Sequence, residues 1–359
     1  MNEFILYKTL QNIFFISMFV ISLLSYQTIR NDSLYQESDG LKIWTVIAVL
    51  IAFVTIAFFP TLIGHGGGDK ALYARSFIRI NSIESNFVWS GLTYLIRLFT
   101  SNVTIYFSII AALYIGLRWL ACKNLVASNP EILLLAFLFS FQFFGYGTNT
   151  IRAGLASSLT ILAISIFPDK KWLGAVIASS AIFTHLSMVI PLAAYTIAYY
   201  KPNVKLFLGL WVISIGLSVV AGNGIALHLA QFIHDTAGNQ AADYILHAGN
   251  GHYKSGLRID FILYSSVPII VGLLYIFKYD YREKFYLTIY STYLLANTFF
   301  VLVIRANFID RFGYLSWMLI PVVLLYPLMN SDNFPNKEKY ISLTLVLLEL
   351  FTFVMFLRG

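Results

Sequence analysis

The chain has 359 residues, of which 58% are hydrophobic and only 11% are charged, and its formal net charge is +7. A soluble core of this size cannot bury so much apolar surface, so the composition indicates a membrane protein and excludes an ordinary soluble enzyme. The basic residues stand singly or in pairs between apolar runs, so no nucleic acid is expected as a partner. Cys122 is the only cysteine, which excludes an intramolecular disulfide and a thiolate metal cluster.

Apolar runs long enough to cross a bilayer recur along the whole chain, and because strand-like alternation is absent, each predicts a helix. We expect an all-α polytopic membrane protein of about twelve transmembrane helices, forming a single transmembrane domain over residues 1–359. The segment 172–200 is interpreted as two short helices that meet at Ser187; if this hairpin only dips into the membrane, ten crossings remain. The runs lie near residues 8–26, 43–63, 102–121, 131–146, 150–167, 172–184, 187–200, 204–222, 259–277, 285–304, 312–329 and 340–357.

Charge divides the connecting segments between two sides of the membrane. One side collects twelve cations, ten of them lysine, and the positive-inside rule makes that side cytoplasmic. All six histidines fall on the other side, which also holds two long periplasmic loops, residues 64–101 and 222–258. Each loop is expected to contain an interfacial helix, which is Phe87–Phe99 in the first loop. The cytoplasmic cations are Arg30, Lys42, Lys123, Lys170, Lys171, Lys201, Lys205, Lys278, Arg282, Lys284, Lys337 and Lys339.

The periplasmic side is rich in arginine instead. Lys8, Arg97 and Arg118 are expected to snorkel to the lipid headgroups and are set aside. A guanidinium binds phosphate oxygens through paired hydrogen bonds and stays charged when partly desolvated, so an arginine-lined outer cavity predicts a pyrophosphate or other dianionic ligand. Salt bridges to Asp69, Glu84 and Asp310 are the alternative. The six outer arginines are Arg75, Arg79, Arg152, Arg258, Arg305 and Arg311.

A set of short motifs in a fixed order resembles the EpsG-type, Wzy-like polysaccharide polymerases of bacterial envelopes. The resemblance covers roughly residues 43–329. One departure stands at Ala153, where the family pattern commonly has a glutamine after the arginine. The motifs are GGxDKALYARSF from Gly66 to Phe77, Glu84-x-Asn86-Phe87, Asn149-Thr150-Ile151-Arg152 with Ala156, Phe183-Thr184-His185-Leu186-Ser187, and Asp310-Arg311-Phe312-x-Tyr314.

The resemblance implies a membrane glycosyltransferase that polymerises polyprenyl-pyrophosphate-linked oligosaccharide units. Its product would be an O-antigen, a capsule or an exopolysaccharide, made at the periplasmic face of the bacterial inner membrane. Neither a cofactor nor a metal is expected; the partners are the lipid-linked glycan, the bilayer and a chain-length regulator protein. The catalytic candidates are Asp69, Arg152, His185 and Arg311, and the substrate-binding candidates are Tyr73, Arg75, Arg79, Glu84, Arg305, Asp310 and Tyr314.

The roles within this set follow from the chemistry of the transfer. Arg152 and Arg311 are expected to hold the pyrophosphate, and His185 or Asp69 to direct the acceptor hydroxyl, because histidine titrates near neutral pH. Each has a structural alternative, His185 as a helix cap or packing residue and Asp69 as an N-cap. No tight group of histidines and carboxylates predicts a metal site. A lipid-linked oligosaccharide flippase, a membrane acyltransferase and a glycan ligase stay open as alternative functions.

Overall fold

The computed structural model describes residues 2–31, 39–61, 69–80, 86–220, 224 and 256–358. Across these ranges all regular structure is helical, which confirms the prediction of an all-α polytopic membrane protein. The chain divides into two compact units, Met1–Met188 with Leu325–Gly359, and Val189–Leu324. The single transmembrane domain stays a prediction.

The first unit begins with nine helices. They are α1 (Asn2–Asn31), α2 (Asp39–Phe58), α3 (Asp69–Arg79), α4 (Phe87–Phe99), α5 (Val103–Leu125), α6 (Pro130–Leu138), α7 (Gln142–Thr148), α8 (Ile151–Ile166) and α9 (Lys171–Thr184), followed by a 3-10 turn, Leu186–Met188.

The remaining helices are α10 (Val189–Tyr200), α11 (Val204–Val220), α12 (Ile259–Leu273) with a π-helical end, Leu274–Lys278, α13 (Lys284–Leu302), α14 (Ile309–Trp317), α15 (Ile320–Asn330) and α16 (Lys337–Leu357). The boundary between the units falls inside α15, and α16 belongs to the first unit.

Among the described residues, seven helical stretches are long and apolar enough to cross a membrane when α14 and α15 are taken together, or eight if the bent pair α6–α7 is one span. Five further apolar helices, α4, α8, α9, α11 and the stretch from the 3-10 turn through α10, are shorter. Every predicted run coincides with one of these helices or helix pairs, but the count of twelve crossings stays a prediction because it includes the short ones. The interruption expected near Ser187 is confirmed, since α9 ends at Thr184.

The run 131–146, expected as one helix, is in fact broken. Its two parts, α6 and α7, differ in direction by 72°. The chain turns through tight hydrogen bonds: Ser140 N–H donates to the Phe137 carbonyl at 3.3 Å, and Phe143 N–H donates to the Ser140 carbonyl at 2.9 Å. The Ser140 hydroxyl also donates to the Ala136 carbonyl at 2.6 Å, so the serine satisfies backbone groups that the break releases.

Contacts inside the first unit fix the relative directions of its helices. The Ser158 hydroxyl donates to the Tyr114 carbonyl at 2.9 Å, and Asn124 Nδ2 donates to Ser165 Oγ at 3.4 Å, so α5 and α8 run in the same direction. Helix α9 returns along α8 so closely that a Cβ on Gly174 would lie 2.8 Å from the backbone of the connecting turn. The first residues of α5 and α8 and the last residues of α9 therefore lie at one end of this unit.

That end is built on an apolar cluster shared by α3, α4, α5 and α8. Asn102 begins α5 by accepting the N–H groups of Thr104 at 2.8 Å and Ile105 at 3.2 Å, as an N-cap should. The helix expected at Phe87–Phe99 is confirmed with the same bounds, and its interfacial location stays a prediction. The buried members of the cluster are Ala74, Phe77, Trp89, Ile96, Tyr106, Phe107, Ile110, Ile151 and Leu155.

The second unit is organised around a buried asparagine. Asn297 on α13 accepts the indole N–H of Trp211 at 2.8 Å. Its amide donates to Ser265 Oγ at 3.1 Å and to Ser316 Oγ at 2.9 Å. Because these partners belong to α11, α12 and α14, one side chain joins four helices through polar contacts that are costly to leave unmade in an apolar interior.

Arg118 does not snorkel to the headgroups, contrary to expectation. It is 0% exposed in the middle of α5. Its Nη2 donates to Ser157 Oγ at 2.8 Å, and its guanidinium carbon lies 4.8 Å from the centre of the Tyr114 ring and 5.2 Å from that of Phe137. Nε and Nη1 have no hydrogen-bond partner among the described residues. Aromatic faces stabilise the cation in place of water, so the side chain stays in the bundle.

Candidate functional site

Helix α3 carries predicted site residues on two different faces. Tyr73 is partly buried against Trp89, with the ring centres 5.4 Å apart, and Phe77 is fully buried in the apolar cluster. Asp69 lies two turns before Phe77 and is partly buried as well. Arg75 and Arg79 are exposed. The structure thus places Asp69 and Tyr73 toward the bundle and the two arginines on the outer face of the helix.

Asp69 is tied to the junction between α7 and α8. Its backbone N–H donates to Asn149 Oδ1 at 3.2 Å. Asp69 is also the first residue of α3, so its carboxylate complements the positive end of that helix. The N-cap position falls on residue 68, outside the described residues. This contact links α3 to a point in the chain only three positions before Arg152.

Arg152 lies in the first turn of α8. Helical side chains lean toward the N-terminus of their helix, where the partial positive charge of the unpaired N–H groups adds to that of the guanidinium. The N-cap residue, Thr150, makes no side-chain cap hydrogen bond. Arg152 is partly buried, and its Nε is enclosed without a hydrogen-bond partner in the described part of the chain. A partly accessible arginine at an uncapped helix N-terminus suits an anion.

His185 lies at the same end of the unit. Helix α9 has 14 residues and α8 has 16, so the end of α9 returns to the level of Arg152, and the 3-10 turn after His185 contacts α8. His185 is the C-cap of α9, and its Nδ1 lies 2.6 Å from Ser187 Oγ. The Ser187 backbone N–H also points at Nδ1, at 3.4 Å. Because a backbone N–H can only donate, Nδ1 acts as an acceptor and the neutral ring carries its proton on Nε2.

Two predicted residues of the second unit have structural contacts. Arg305 Nε donates to the Ser218 carbonyl at 3.3 Å, and Ser218 lies in the last turn of α11, where a cation is favourable. Tyr314 is buried, and its ring centre lies 5.9 Å from that of Trp317. Neither contact tests a role in substrate binding, which stays a prediction for both residues.

Asp310 and Arg311 lie in the first turn of α14 and are partly buried. The Arg311 guanidinium carbon lies 4.7 Å from the centre of the Phe308 ring. Phe308 has a φ of 52°, a left-handed conformation that costs an L-residue about 1–2 kcal/mol. Strain of this kind is common where a chain presents functional groups. That Arg311 and Arg152 hold one pyrophosphate stays a prediction.

Among the residues that the structure describes, most of the outer arginines form no salt bridge, and Glu84, one of the three expected partners, lies outside those residues. Within the ranges that the structure describes, Arg75, Arg79, Arg152 and Arg305 form no ion pair with a carboxylate. Arg258 does: its Nη2 lies 2.7 Å from an oxygen of Asp260, and Nε completes a bidentate contact at 2.9 Å. Arg258 is therefore already paired, whereas Nε of Arg152 has no partner among the described residues.

Several predicted features lie outside the described residues. Glu84 is one of them, and the histidines at 65, 228, 234, 247 and 252 are others. The second long loop, with its expected interfacial helix, falls almost wholly there as well. The roles expected for these residues stay predictions.

Sequence reasoning missed Lys70 and treated Asn149 only as part of a motif. Lys70 is 3% exposed, and Asn149 binds the Asp69 backbone. A signal for Lys70 existed: Lys70, Ala74 and Phe77 recur at helical spacing, so the lysine falls on the apolar stripe of α3.

The structure places a carboxylate, an arginine and a histidine at one end of the first unit. Asp69 can accept a proton, Arg152 can hold an anionic leaving group, and the Nε2 proton of His185 can be donated. These are the parts that an acyl-, phosphoryl- or glycosyl-transfer site requires, and geometry alone does not choose among them.

Comparison with known proteins makes that choice. The family model of the EpsG family matches residues 42–358. The chain belongs to the EpsG family. EpsG proteins are a Wzy-like polymerase-type family, so this chain is a polysaccharide polymerase-like membrane protein, and its enzyme class is a glycan polymerase. No curated protein and no solved structure matches it. The match includes every residue discussed at the site and begins after α1.

Proposed function

We propose that this EpsG-family protein lengthens a glycan by transferring it from a polyprenyl-pyrophosphate carrier to a sugar hydroxyl on the next lipid-linked repeat unit. The reaction would take place at the periplasmic face of the bacterial inner membrane. The observation that carries this proposal is Arg152, whose Nε is enclosed without a described partner at an uncapped helix N-terminus. A pyrophosphate would supply the acceptor oxygens that this guanidinium lacks.

The transfer exchanges one bond for another. The acceptor oxygen forms a bond to the anomeric carbon of the donor glycan, while the bond from that carbon to the pyrophosphate oxygen breaks. The hydroxyl proton passes to a base, and the carrier leaves as polyprenyl pyrophosphate with an additional negative charge. Arg152 stabilises that charge as it develops, which lowers the barrier to bond cleavage.

Asp69 is the better candidate for the base. Its backbone is held at the α7–α8 junction by Asn149, and its carboxylate can accept the hydroxyl proton. The contacts of His185 favour a ring with its proton on Nε2, which is a hydrogen-bond donor. We assign His185 to a phosphate or sugar oxygen and Asp69 to the acceptor hydroxyl. Tyr73, on the same face of α3 as Asp69, would contact the glycan.

Because the lipid pyrophosphate is already an activated donor, no nucleotide sugar, ATP or metal is needed. Purified protein in detergent should therefore lengthen isolated lipid-linked repeat units into a ladder in excess EDTA. A glycan ligase would give a single transfer to a different acceptor, and an acyltransferase would add mass only with an acyl donor. A flippase would form no glycosidic bond, so folded protein without a ladder would contradict the proposal.

Arg152→Lys tests the role of the guanidinium, because lysine keeps the charge and loses the planar fork. We expect products of one repeat unit while the amount of folded protein in the membrane stays normal. Arg97→Lys is the matched control, since Arg97 is an arginine of the same unit that lies in the last turn of α4, outside the site. Full-length polymer from Arg152→Lys would show that this arginine is structural.

A further inference from the structure

Lys70 is a buried amine directly beside Asp69 in the chain. Its Nζ donates to the Ile56 carbonyl at 2.7 Å. The same nitrogen lies 4.4 Å from the centre of the Phe107 ring and 5.9 Å from that of Phe59. Only 3% of the residue is exposed. The amine is thus enclosed by the end of α2, the residue that follows it and the first half of α5.

These contacts dock the first turn of α3. Ile56 lies in the last turn of α2, where carbonyl groups lack partners within the helix and a lysine N–H can satisfy one. The other end of α3 is held by Phe77, which stacks on Tyr106 with ring centres 4.3 Å apart. Asp69 lies at the same end of the helix as Lys70. Two contacts therefore hold Asp69 in place, the hydrogen bond from its own backbone to Asn149 and the docking of the adjacent Lys70.

We propose that Lys70 is a positioning residue for the glycan transfer, and that its docking on α2 places Asp69 in a pH-dependent manner. The effect of this docking on catalysis depends on the proposed function, whereas the docking itself does not. Docking itself can be measured without substrate, so the two proposals can fail separately.

The dependence on pH has a definite sign. Burial lowers the pKa of Lys70 from its ordinary value of 10.5 to about 7. Between these values the undocked helix, with Lys70 in water, binds one more proton than the docked helix. Docking therefore strengthens as the pH rises, by up to about tenfold per pH unit. Below about pH 7 both states are protonated, and docking no longer changes.

Burial is the cause of the lowered pKa, and no neighbouring charge is needed to explain it. The helices around Lys70 carry further titratable and charged groups. They are Asp69, Tyr73, Arg75 and Arg79 on α3, Tyr94 and Arg97 on α4, Tyr106, Tyr114, Arg118, Cys122 and Lys123 on α5, Asp39 and Lys42 on α2, Tyr146 on α7, Arg152 on α8, and Glu3, Tyr7, Lys8, Tyr26 and Arg30 on α1.

Thiol accessibility measures docking directly. In a Cys122→Ser background, Ala74→Cys places a thiol on the buried face of α3 and Leu72→Cys places one on the exposed face. The ratio of their labelling rates by a hydrophilic reagent cancels the effect of pH on thiol chemistry. We expect the ratio of buried to exposed labelling to fall between pH 7 and pH 9, by up to about tenfold per unit.

Two variants of Lys70 should abolish this slope for different reasons. Lys70→Met keeps the apolar stem and loses the donor, so Ala74→Cys should be labelled faster at every pH. Lys70→Gln keeps an N–H donor but does not titrate, so labelling should be slow and independent of pH. The Gln variant keeps the test valid even where the Met variant does not fold.

Polymerisation rates complete the test. In the native chain the rate should follow the docked fraction obtained from the labelling ratio between pH 7 and pH 9, and in Lys70→Gln this component of the pH profile should vanish. A flat labelling ratio in the native chain, or an unchanged slope in Lys70→Gln, would overturn the inference. A normal labelling response without any ladder would instead overturn the proposed function and leave the docking intact.

Discussion

Gly154 provides the sharpest test of how Arg152 is positioned. Helix α8 passes α7 so closely at this residue that a Cβ on Gly154 would lie 2.4 Å from the Tyr146 carbonyl oxygen and 3.0 Å from its carbonyl carbon. The obstacle is backbone, which cannot rotate away as a side chain could. Gly154→Ala must therefore separate the two helices at the junction that holds Asn149 and Arg152.

The size of the displacement follows from ordinary contact distances. Carbon and oxygen atoms in close contact remain roughly 3.3 Å apart, so the alanine must move the helices by about 1 Å. Overpacking costs about 1–3 kcal/mol, and the better helix propensity of alanine returns about 1 kcal/mol. We expect a net loss of stability near 1 kcal/mol, together with a loss of rate of about 100-fold, because a catalytic group displaced by about 1 Å can lose that much.

The assay is the initial rate of ladder formation by purified protein at saturating lipid-linked substrate, with thermal unfolding measured on the same samples. Gly116→Ala is the matched control, since it also lies in a helix of the first unit and a Cβ there meets nothing within 4 Å. It should leave the rate unchanged and raise stability slightly. If Gly154→Ala polymerises at the native rate, then the contact between α7 and α8 does not position Arg152.

Two further predictions concern the bundle and its orientation. Arg118→Ala should lower the free energy of unfolding by about 2–4 kcal/mol because it leaves a cavity among aromatic rings. Arg118→Met should stay within about 1 kcal/mol of the native chain, as thermal unfolding would show. Equal losses in the two variants would mean that the charge itself stabilises the bundle. In a Cys122→Ser background, Leu186→Cys and Phe308→Cys should react with a membrane-impermeant thiol reagent from the periplasm and Lys171→Cys should not, and the reverse pattern would invert the proposed orientation.

The helices were largely predictable because membrane-length apolar runs and end signals are local. Asn102 and the proline at 130 mark the beginnings of α5 and α6 in the sequence itself. The bend between α6 and α7 was not predictable, because Ser140 stands in a continuous apolar run without proline or glycine at the break. Its 72° change of direction depends on hydrogen bonds that form only once the chain has turned.

The site was predictable in its residues and not in its contacts. Order along the chain indicated Asp69, Arg152 and His185 as candidates, since each stands in a motif at the same predicted side. Whether a polar side chain has a hydrogen-bond partner depends on residues from distant segments of the chain. The periodicity of the sequence does not show which distant segments meet. Lys70 was passed over within its motif, although its place on the apolar stripe of α3 indicated a buried position.

Arg118 and Arg152 show why an unpartnered arginine is not by itself evidence of a site. Both have guanidinium nitrogens without hydrogen-bond partners among the described residues. Arg118 is 0% exposed in mid-helix, with aromatic rings over its faces, so no ligand can reach its free donors. Arg152 is partly accessible and lies at a helix N-terminus, and no aromatic ring of the described segments lies over its guanidinium. In Arg118 the unmet donors are offset by cation–π contacts, so nothing further is required there. In Arg152 no such contact from the described residues offsets the enclosed Nε, which is why we propose a bound anion there.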